Sequence, residues 1–248
     1  MTEQPANRVA VITGGAIGIG AAAAIALAET GHRIVVTYHN HPADEVVAAI
    51  TDAGGQARAV QLDVTSSQAV DDVFAEIAAT EGHIDVLVNN AGGLVRRRSI
   101  SEQSDADWHE VLAVNLDSAF YCSRAALRSM PAGGRIINMS SLAAKTGGGN
   151  GAVTYATSKA AMDGFTRGLA KEVAPRGILV NSIAPGFIGG TPFHATFTPP
   201  DAQQRTIESL PVKRGGTVED VAGAVVFLAS EASSFCTGIV LDVDGGAY

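Results

Sequence analysis

A phenol and an amine stand four residues apart in Tyr155-Ala-Thr-Ser-Lys159, at the start of a stretch with helical periodicity, Thr154–Ala174. Side chains at i and i+4 share one face of a helix. A phenol has a pKa of about 10 and exchanges protons poorly at neutral pH. A neighbouring ammonium favours the phenolate and brings the group nearer to working range. An amphipathic helix with a surface lysine has the same spacing, so the surroundings must decide. Just upstream, Arg135-Ile-Ile-Asn-Met-Ser-Ser141 reads as a buried strand ending in two hydroxyls. Open α/β sheets bind ligands at such strand ends, and a serine there could hold a substrate oxygen beside the phenol.

The second constellation is a glycine loop. Val9-Ala-Val-Ile-Thr-Gly-Gly-Ala-Ile-Gly-Ile-Gly20 sets Gly14, Gly18 and Gly20 between a strand and a helix. Glycines there permit a sharp turn and close approach to a pyrophosphate, and the helix N-terminus offers free N–H groups to the anion. The loop lacks the Gly-Lys-Ser/Thr ending of an ATP or GTP phosphate loop. A tight turn with no ligand is the alternative reading. The next strand ends at Tyr38-His39-Asn40, with no Asp or Glu there to accept the adenosine ribose hydroxyls as NAD-preferring sites usually do. A missing carboxylate leaves room for a 2′-phosphate and leans toward NADP(H). No Arg or Lys completes such a site, Ile17 and His39 standing where one would be looked for, so NAD(H) also remains open.

These residues need a scaffold, and the apolar pattern supplies one. Val9–Ile12, Ile34–Thr37, Ala57–Leu62, Val86–Asn89, Arg135–Met139, Leu179–Ala184 and Ile239–Val243 read as buried strands, near-continuous in apolar character as sheets covered on both faces require. Helical patterns alternate with them: Ile17–Thr30, Asp44–Ala53, Ser67–Glu81, Asp105–Ser129, Thr154–Ala174 and Val218–Ala229. That alternation predicts a single-domain, Rossmann-type α/β fold over residues 1–248, a doubly wound parallel sheet of about seven strands with helices on both faces. Gly31 is placed to end the first helix, and Thr217 with Asp220 to cap the last one. The Pro-rich segment 190–212 reads as a substrate lid rather than a linker.

With 248 residues, 46% hydrophobic and 17% charged, the chain is neither disordered nor a coiled coil. A formal charge of −8 argues against a nucleic-acid partner. No apolar run is long enough to span a bilayer, residues 1–7 lack the layout of a leader, and two cysteines make no disulfide framework. The expectation is a cytoplasmic protein. His39 and His41 lack further ligands at suitable spacing, so no metal site is expected. Arg96-Arg-Arg98 is either a solvated basic turn or a site for an anionic substrate or carrier protein. His194 is a loop residue or a substrate contact.

Taken together, the motifs resemble the short-chain dehydrogenase/reductase family, within it the 3-oxoacyl-acyl-carrier-protein reductase-like group. They are Thr13-Gly-Gly-Ala-Ile-Gly-Ile-Gly20, Asn89-Asn-Ala-Gly92, Asn115 in Val-Asn-Leu, the strand-end serines, Tyr155-x-x-x-Lys159 and Pro185-Gly186. The resemblance covers essentially the whole chain. It implies an NAD(P)(H)-dependent oxidoreductase interconverting a ketone and a secondary alcohol, with a 3-oxoacyl, sugar or alcohol substrate, and a homotetramer. Tyr155 would be the general acid or base, Lys159 would lower its pKa and bind the nicotinamide ribose, Ser141 would orient the substrate oxygen, and Asn115 would hold a proton-relaying water. Cofactor contacts would come from Gly14, Ala16, Ile17, Gly18, Ile19 and Gly20 in the loop, and from Tyr38 and His39. Asp63 and Val64 would meet adenine, and Asn90 the adjoining ribose, with Ala91 and Gly92 beside it. Pro185, Gly186 and Ile188 would contact the nicotinamide end, and Thr191 the pyrophosphate or the carboxamide. Ser141 stands one residue farther from the tyrosine than the family pattern, through an extra residue in the Gly147–Gly151 loop, and the segment before Thr191 is also one longer. The rival functions are a non-catalytic dinucleotide-binding regulator and an epimerase or dehydratase with tightly held NAD.

Overall fold

A computed structural model describes residues 7–248; residues 1–6, where the expectation about a leader falls, lie outside the described residues. In chain order the elements are β1 (Val9–Ile12), α1 (Gly18–Glu29), β2 (Arg33–Tyr38), α2 (Asp44–Asp52), β3 (Gln56–Gln61), α3 (Ser67–Glu81) and β4 (Val86–Asn89). There follow α4 (Asp105–Leu112), a π-helical turn (Ala113–Asp117), α5 (Ser118–Ala126), β5 (Arg135–Met139), α6 (Ala143–Thr146) and α7 (Val153–Val173). The chain closes with β6 (Leu179–Pro185), α8 (Pro192–Phe197), α9 (Pro200–Ser209), α10 (Val218–Ala229) and β7 (Val240–Val243). All strands pair in parallel in the order β3-β2-β1-β4-β5-β6-β7. The order reverses between β1 and β4, and ligands bind at such a switch point beyond the C-terminal strand ends.

The central strands β1, β4 and β5 are buried along their whole length, because helices cover both faces. On one face Ala23, Leu27, Val46, Ile50, Val221 and Val225, from α1, α2 and α10, pack against the sheet. On the other, Val70, Phe74, Cys122, Ala126, Ala170 and Val173, from α3, α5 and α7, do the same. Burial pushes the Cys122 thiol up to about 12, so it behaves as a small hydrophobe. A line of polar side chains crosses this second face. The Asn89 amide donates to Ser123 Oγ at 3.0 Å and to Asn138 Oδ1 at 2.8 Å, and Asn138 Nδ2 donates to Thr166 Oγ1 at 2.9 Å.

Gly31, at φ 88°, follows α1, and Thr217 with Asp220 forms a capping box on α10. Two readings of the sequence need correction. The helix expected over Asp105–Ser129 is interrupted by the π-helical turn at Ala113–Asp117, and its α-helical part ends at Ala126. The Pro-rich segment 190–212, to which the sequence pattern assigns no helix, holds α8 and α9, because Pro192 and Pro200 each sit at the first helical turn, where a missing N–H is harmless.

Candidate active site

A cleft of about 1190 Å³ opens across the C-terminal strand ends. It is larger than the ~300–1,000 Å³ of an ordinary small-molecule pocket and admits an extended ligand with a second one beside it. Every residue singled out as catalytic or cofactor-binding lines it except Gly20 and Asn115.

At the cleft's centre the glycine loop is moulded by close contacts. Gly14 and Gly18 adopt φ of 61° and 58°. A Cβ on Gly20 would stand 2.4 Å from both Asn90 Nδ2 and the Gly14 carbonyl oxygen, so no larger residue fits. Asn90 explains the fit: its amide donates to the carbonyls of Thr13 and Gly14, both at 3.0 Å. Thr13 answers by accepting at its hydroxyl from the backbone N–H of Asn90 and Ala91. Asn90 therefore shapes the loop, beyond the ribose contact expected of it. Ile17, the N-cap of α1, brings no side-chain cap, which leaves the first N–H groups of the helix free for an anion. This cradle fits a dinucleotide pyrophosphate.

One arm of the cleft runs past Tyr38, His39 and His41 to Asp63 and Val64. Hydrogen bonds from the Thr65 hydroxyl at 2.6 Å and its N–H at 2.9 Å hold the Asp63 carboxyl below its usual range. Gln61 Nε2 donates to the His39 carbonyl at 3.1 Å. No carboxylate stands at the tip of β2.

In the other arm α7 delivers Tyr155 and Lys159 beside the end of β5. Lys159 is buried, and its ammonium donates to the Met139 carbonyl at 2.7 Å while lying 5.7 Å from the Tyr155 ring centre. Burial pushes Lys159 down to about 8, with Asp163 opposing the shift. The Tyr155 hydroxyl is pushed up by burial and drawn partly back by its hydrogen bond with Ser141. Of these two influences burial is the larger, so the phenol lies above its ordinary value in this state.

The two serines have different surroundings. Ser140 is buried, with Oγ donating to the Lys159 carbonyl at 3.2 Å on α7. Ser141 faces Tyr155, its Oγ accepting from the Ala143 N–H at 3.1 Å. Asn115 lies in the π-helical turn with both side-chain donors engaged: Nδ2 donates to the carbonyls of Gly93 and Val111, and Oδ1 accepts from the Gly93 N–H at 3.0 Å. That side chain holds the Gly92-Gly93 corner and leaves no side-chain donor for a relay water.

Ile188 is tied into a short bridge with Gly216, and its carbonyl accepts from the Thr191 hydroxyl at 3.0 Å. Thr191 also caps α8 by accepting from the His194 N–H. His194 is a helical residue and not a solvated loop one: its ring centre is 4.4 Å from that of Phe187, and burial lowers its pKa. Phe193 lies 5.8 Å from the Tyr155 ring, centre to centre, so α8 closes over the phenol. The basic turn divides, with Arg96 and Arg98 pairing with Asp107 and only Arg97 lining the cleft. Sequence reasoning missed Thr13 and Asp163. The latter is buried four residues beyond Lys159, with one carboxylate oxygen unpartnered, a spacing that could have flagged it.

Residues 14–248 match the enoyl-(acyl carrier protein) reductase family model. The chain is 40% identical over 246 residues to the 3-oxoacyl-[acyl-carrier-protein] reductase FabG of Aquifex aeolicus, covering 98% of both chains. It is likewise 40% identical over 248 residues to the cis-4-hydroxycyclohexanecarboxylate dehydrogenase of Sinomonas cyclohexanicum, over 99% of this chain and 98% of that one. Among solved structures, a short-chain dehydrogenase from Burkholderia cenocepacia in complex with NADP superposes with a TM-score of 0.90 at 37% identity, covering 97% of each chain. The chain belongs to the short-chain dehydrogenase/reductase family and is an oxidoreductase of that class.

Proposed function

We propose that the protein interconverts a ketone and a secondary alcohol using NADP(H), in one domain whose segment 190–212 covers the substrate. The observation that carries this is the convergence of Tyr155, Ser141 and Lys159 in one arm of a cleft whose centre is the uncapped glycine cradle. A nicotinamide dinucleotide, when bound, supplies or accepts the hydride. Gly14, Gly18 and the first turn of α1 would hold its pyrophosphate, and Asp63, Val64 and Tyr38 its adenosine end. NADP(H) suits the tip of β2, where no carboxylate stands, and the Burkholderia relative was crystallised with NADP.

In reduction Ser141 would donate to the substrate carbonyl oxygen and fix it beside the phenol. Tyr155 would give its hydroxyl proton to that oxygen as negative charge develops there, and the Lys159 ammonium would stabilise the phenolate left behind. Phe193, over the phenol, would exclude water. In oxidation the same groups run in reverse, with Tyr155 taking the alcohol proton. The raised pKa of Tyr155 keeps it protonated and suits the acid role.

Exposed Phe120, Phe235 and Tyr248 support self-association, and we place the protein as a homotetramer. Two free cysteines and the lack, among the described residues, of any helix long and apolar enough to cross a membrane suit a cytoplasmic setting. The decisive experiment compares Tyr155→Phe with the parent. We expect NADPH binding, read by cofactor fluorescence, to persist while carbonyl reduction falls by ~10²–10⁴-fold. Turnover at the parent rate would sink the proposed proton transfer.

A further inference from the structure

Three consecutive arginines leave the Leu94–Arg98 segment and meet different surroundings. Arg96 pairs with Asp107 and Glu110, and Arg98 lies 3.6 Å from Asp107, so α4 neutralises both. Arg97 has no carboxylate partner among the described residues. Its Nε donates to the Phe197 carbonyl at 3.2 Å and its Nη1 to the Asn150 carbonyl at 2.9 Å. Those neutral acceptors belong to the end of α8 and to the loop before α7. A guanidinium has five N–H donors, so most of this one's remain for a ligand.

The backbone is bent to achieve this. Val95 has φ 63°, and the Arg96 N–H donates to the Leu94 carbonyl at 2.7 Å, closing a γ-turn about a β-branched residue. That conformation is rare and strained for valine, and strain of this kind persists where the surroundings hold it in place. The next residues are seated firmly, since the Arg98 N–H donates to the Gly151 carbonyl at 3.1 Å. The root of Arg97 is therefore fixed at the cleft wall.

The charge inventory of the cleft singles Arg97 out. Of the other charged residues lining it, Lys159 is buried against the Met139 carbonyl, Glu110 is paired with Arg96, and Asp63 sits beyond β3 in the opposite arm. The substrate arm thus has apolar walls at Phe193 and Leu94, an acid–base pair at its floor and one unneutralised guanidinium with spare donors. We propose that Arg97 binds a carboxylate carried by the substrate, so that the cleft takes oxo-acids and the matching hydroxy-acids in preference to neutral ketones and alcohols. This rests on the ketone–alcohol reading above. The planar fork of arginine matches a carboxylate through paired hydrogen bonds.

The test uses a graded series of oxo-acids, each with its methyl ester, a phosphorylated ketone and a neutral 3-oxoacyl thioester. Each is measured for NADPH-linked reduction by the full chain, and each acid–ester pair also for binding to the NADP-loaded protein by calorimetry. At least one acid should exceed its ester in kcat/KM by roughly tenfold or more through a lower KM, and salt should shrink the preference. Arg97→Gln should collapse the acid-to-ester ratio toward one, and Arg97→Lys should keep part of it. Parity in the parent, an equal loss for acid and ester in Arg97→Gln, or preference for the phosphorylated ketone or the thioester would each overturn the proposal. An equal loss would leave Arg97 as a clasp between α8 and the loop. If none of the compounds turned over, the ketone–alcohol reading itself would fall, and calorimetry on parent and Arg97→Gln would then decide the carboxylate site alone.

Discussion

Burying an ammonium costs free energy that Lys159 recovers only in part, through the Met139 carbonyl and the attraction of Asp163. Its folded pKa, about 8, lies below the ordinary lysine value, so the native chain binds fewer protons than the unfolded one between those limits. The penalty is full below pH 8 and fades as the pH climbs toward 10.5. At ~1.36 kcal/mol per pH unit it is on the order of 3 kcal/mol at neutral pH. Lys159→Met should therefore unfold in urea at a midpoint no lower than the parent's at pH 7, with any gain lost by about pH 10, while turnover collapses; a clearly lower midpoint at pH 7 would show that the bond to Met139 dominates. The strand-end serines separate in the same residue-by-residue way. In the proposed mechanism Ser141→Ala removes a donor to the substrate oxygen and should lower kcat by ~10²–10³-fold. Ser140→Ala removes a bond to the α7 backbone and should instead lower stability by ~1 kcal/mol. Thermal melts and steady-state rates on both variants distinguish these outcomes.

Elements show where the sequence was readable. β1, β4 and β5 are apolar without alternation because both of their faces are covered, and their limits agree with the sequence reading residue for residue. The π-helical turn left no trace in the pattern, since one inserted residue shifts the helical period too little to register in a single helix-length window. No helix was legible in the Pro-rich segment 190–212, although Pro192 and Pro200 begin helices there. Tyr155 and Lys159 were legible because a helix fixes their spacing, and the glycine loop because its strand and helix flank it. The engaged side chain of Asn115 and the isolation of Arg97 depend on contacts with Gly93 and α4 that no local pattern encodes. Caps give an element-scale test. Thr217→Ala should cost ~1 kcal/mol by freeing the Asp220 N–H at the start of α10, measured by chemical denaturation. The Arg214 side chain holds the Asp220 carboxyl down at about 2. Its stabilising effect is present above the ordinary Asp range and vanishes as the pH falls through about 2.

On the scale of the whole molecule, the two ends of the strands do different things. The N-terminal strand ends, opposite the cleft, gather charge: Arg8 and Asp85 are both buried, the Asp85 carboxylate accepts from the Val9 N–H at 2.7 Å, and buried Arg135 reaches Glu231 at 3.1 Å. Removing one member strands another in a dry setting, so Asp85→Ala should cost ~3–5 kcal/mol, and the folded fraction should keep its specific activity because the change lies far from the cleft. Equal urea midpoints for variant and parent would show that the cluster is better hydrated than its burial indicates. Across β4 and β5 runs the line of amides and hydroxyls from Ser123 through Asn89 and Asn138 to Thr166. Oil-like packing tolerates sliding, whereas the Asn138–Thr166 hydrogen bond ties α7 to β5 at a definite axial offset. Asn138 adjoins the residue whose carbonyl anchors Lys159, and Thr166 rides on the helix that carries Tyr155. The arrangement of Tyr155 and Lys159 is thus set from beneath the floor of the cleft, and Asn138→Leu, by stranding one Asn89 amide N–H and the Thr166 hydroxyl without partners, would weaken the scaffold and that alignment together.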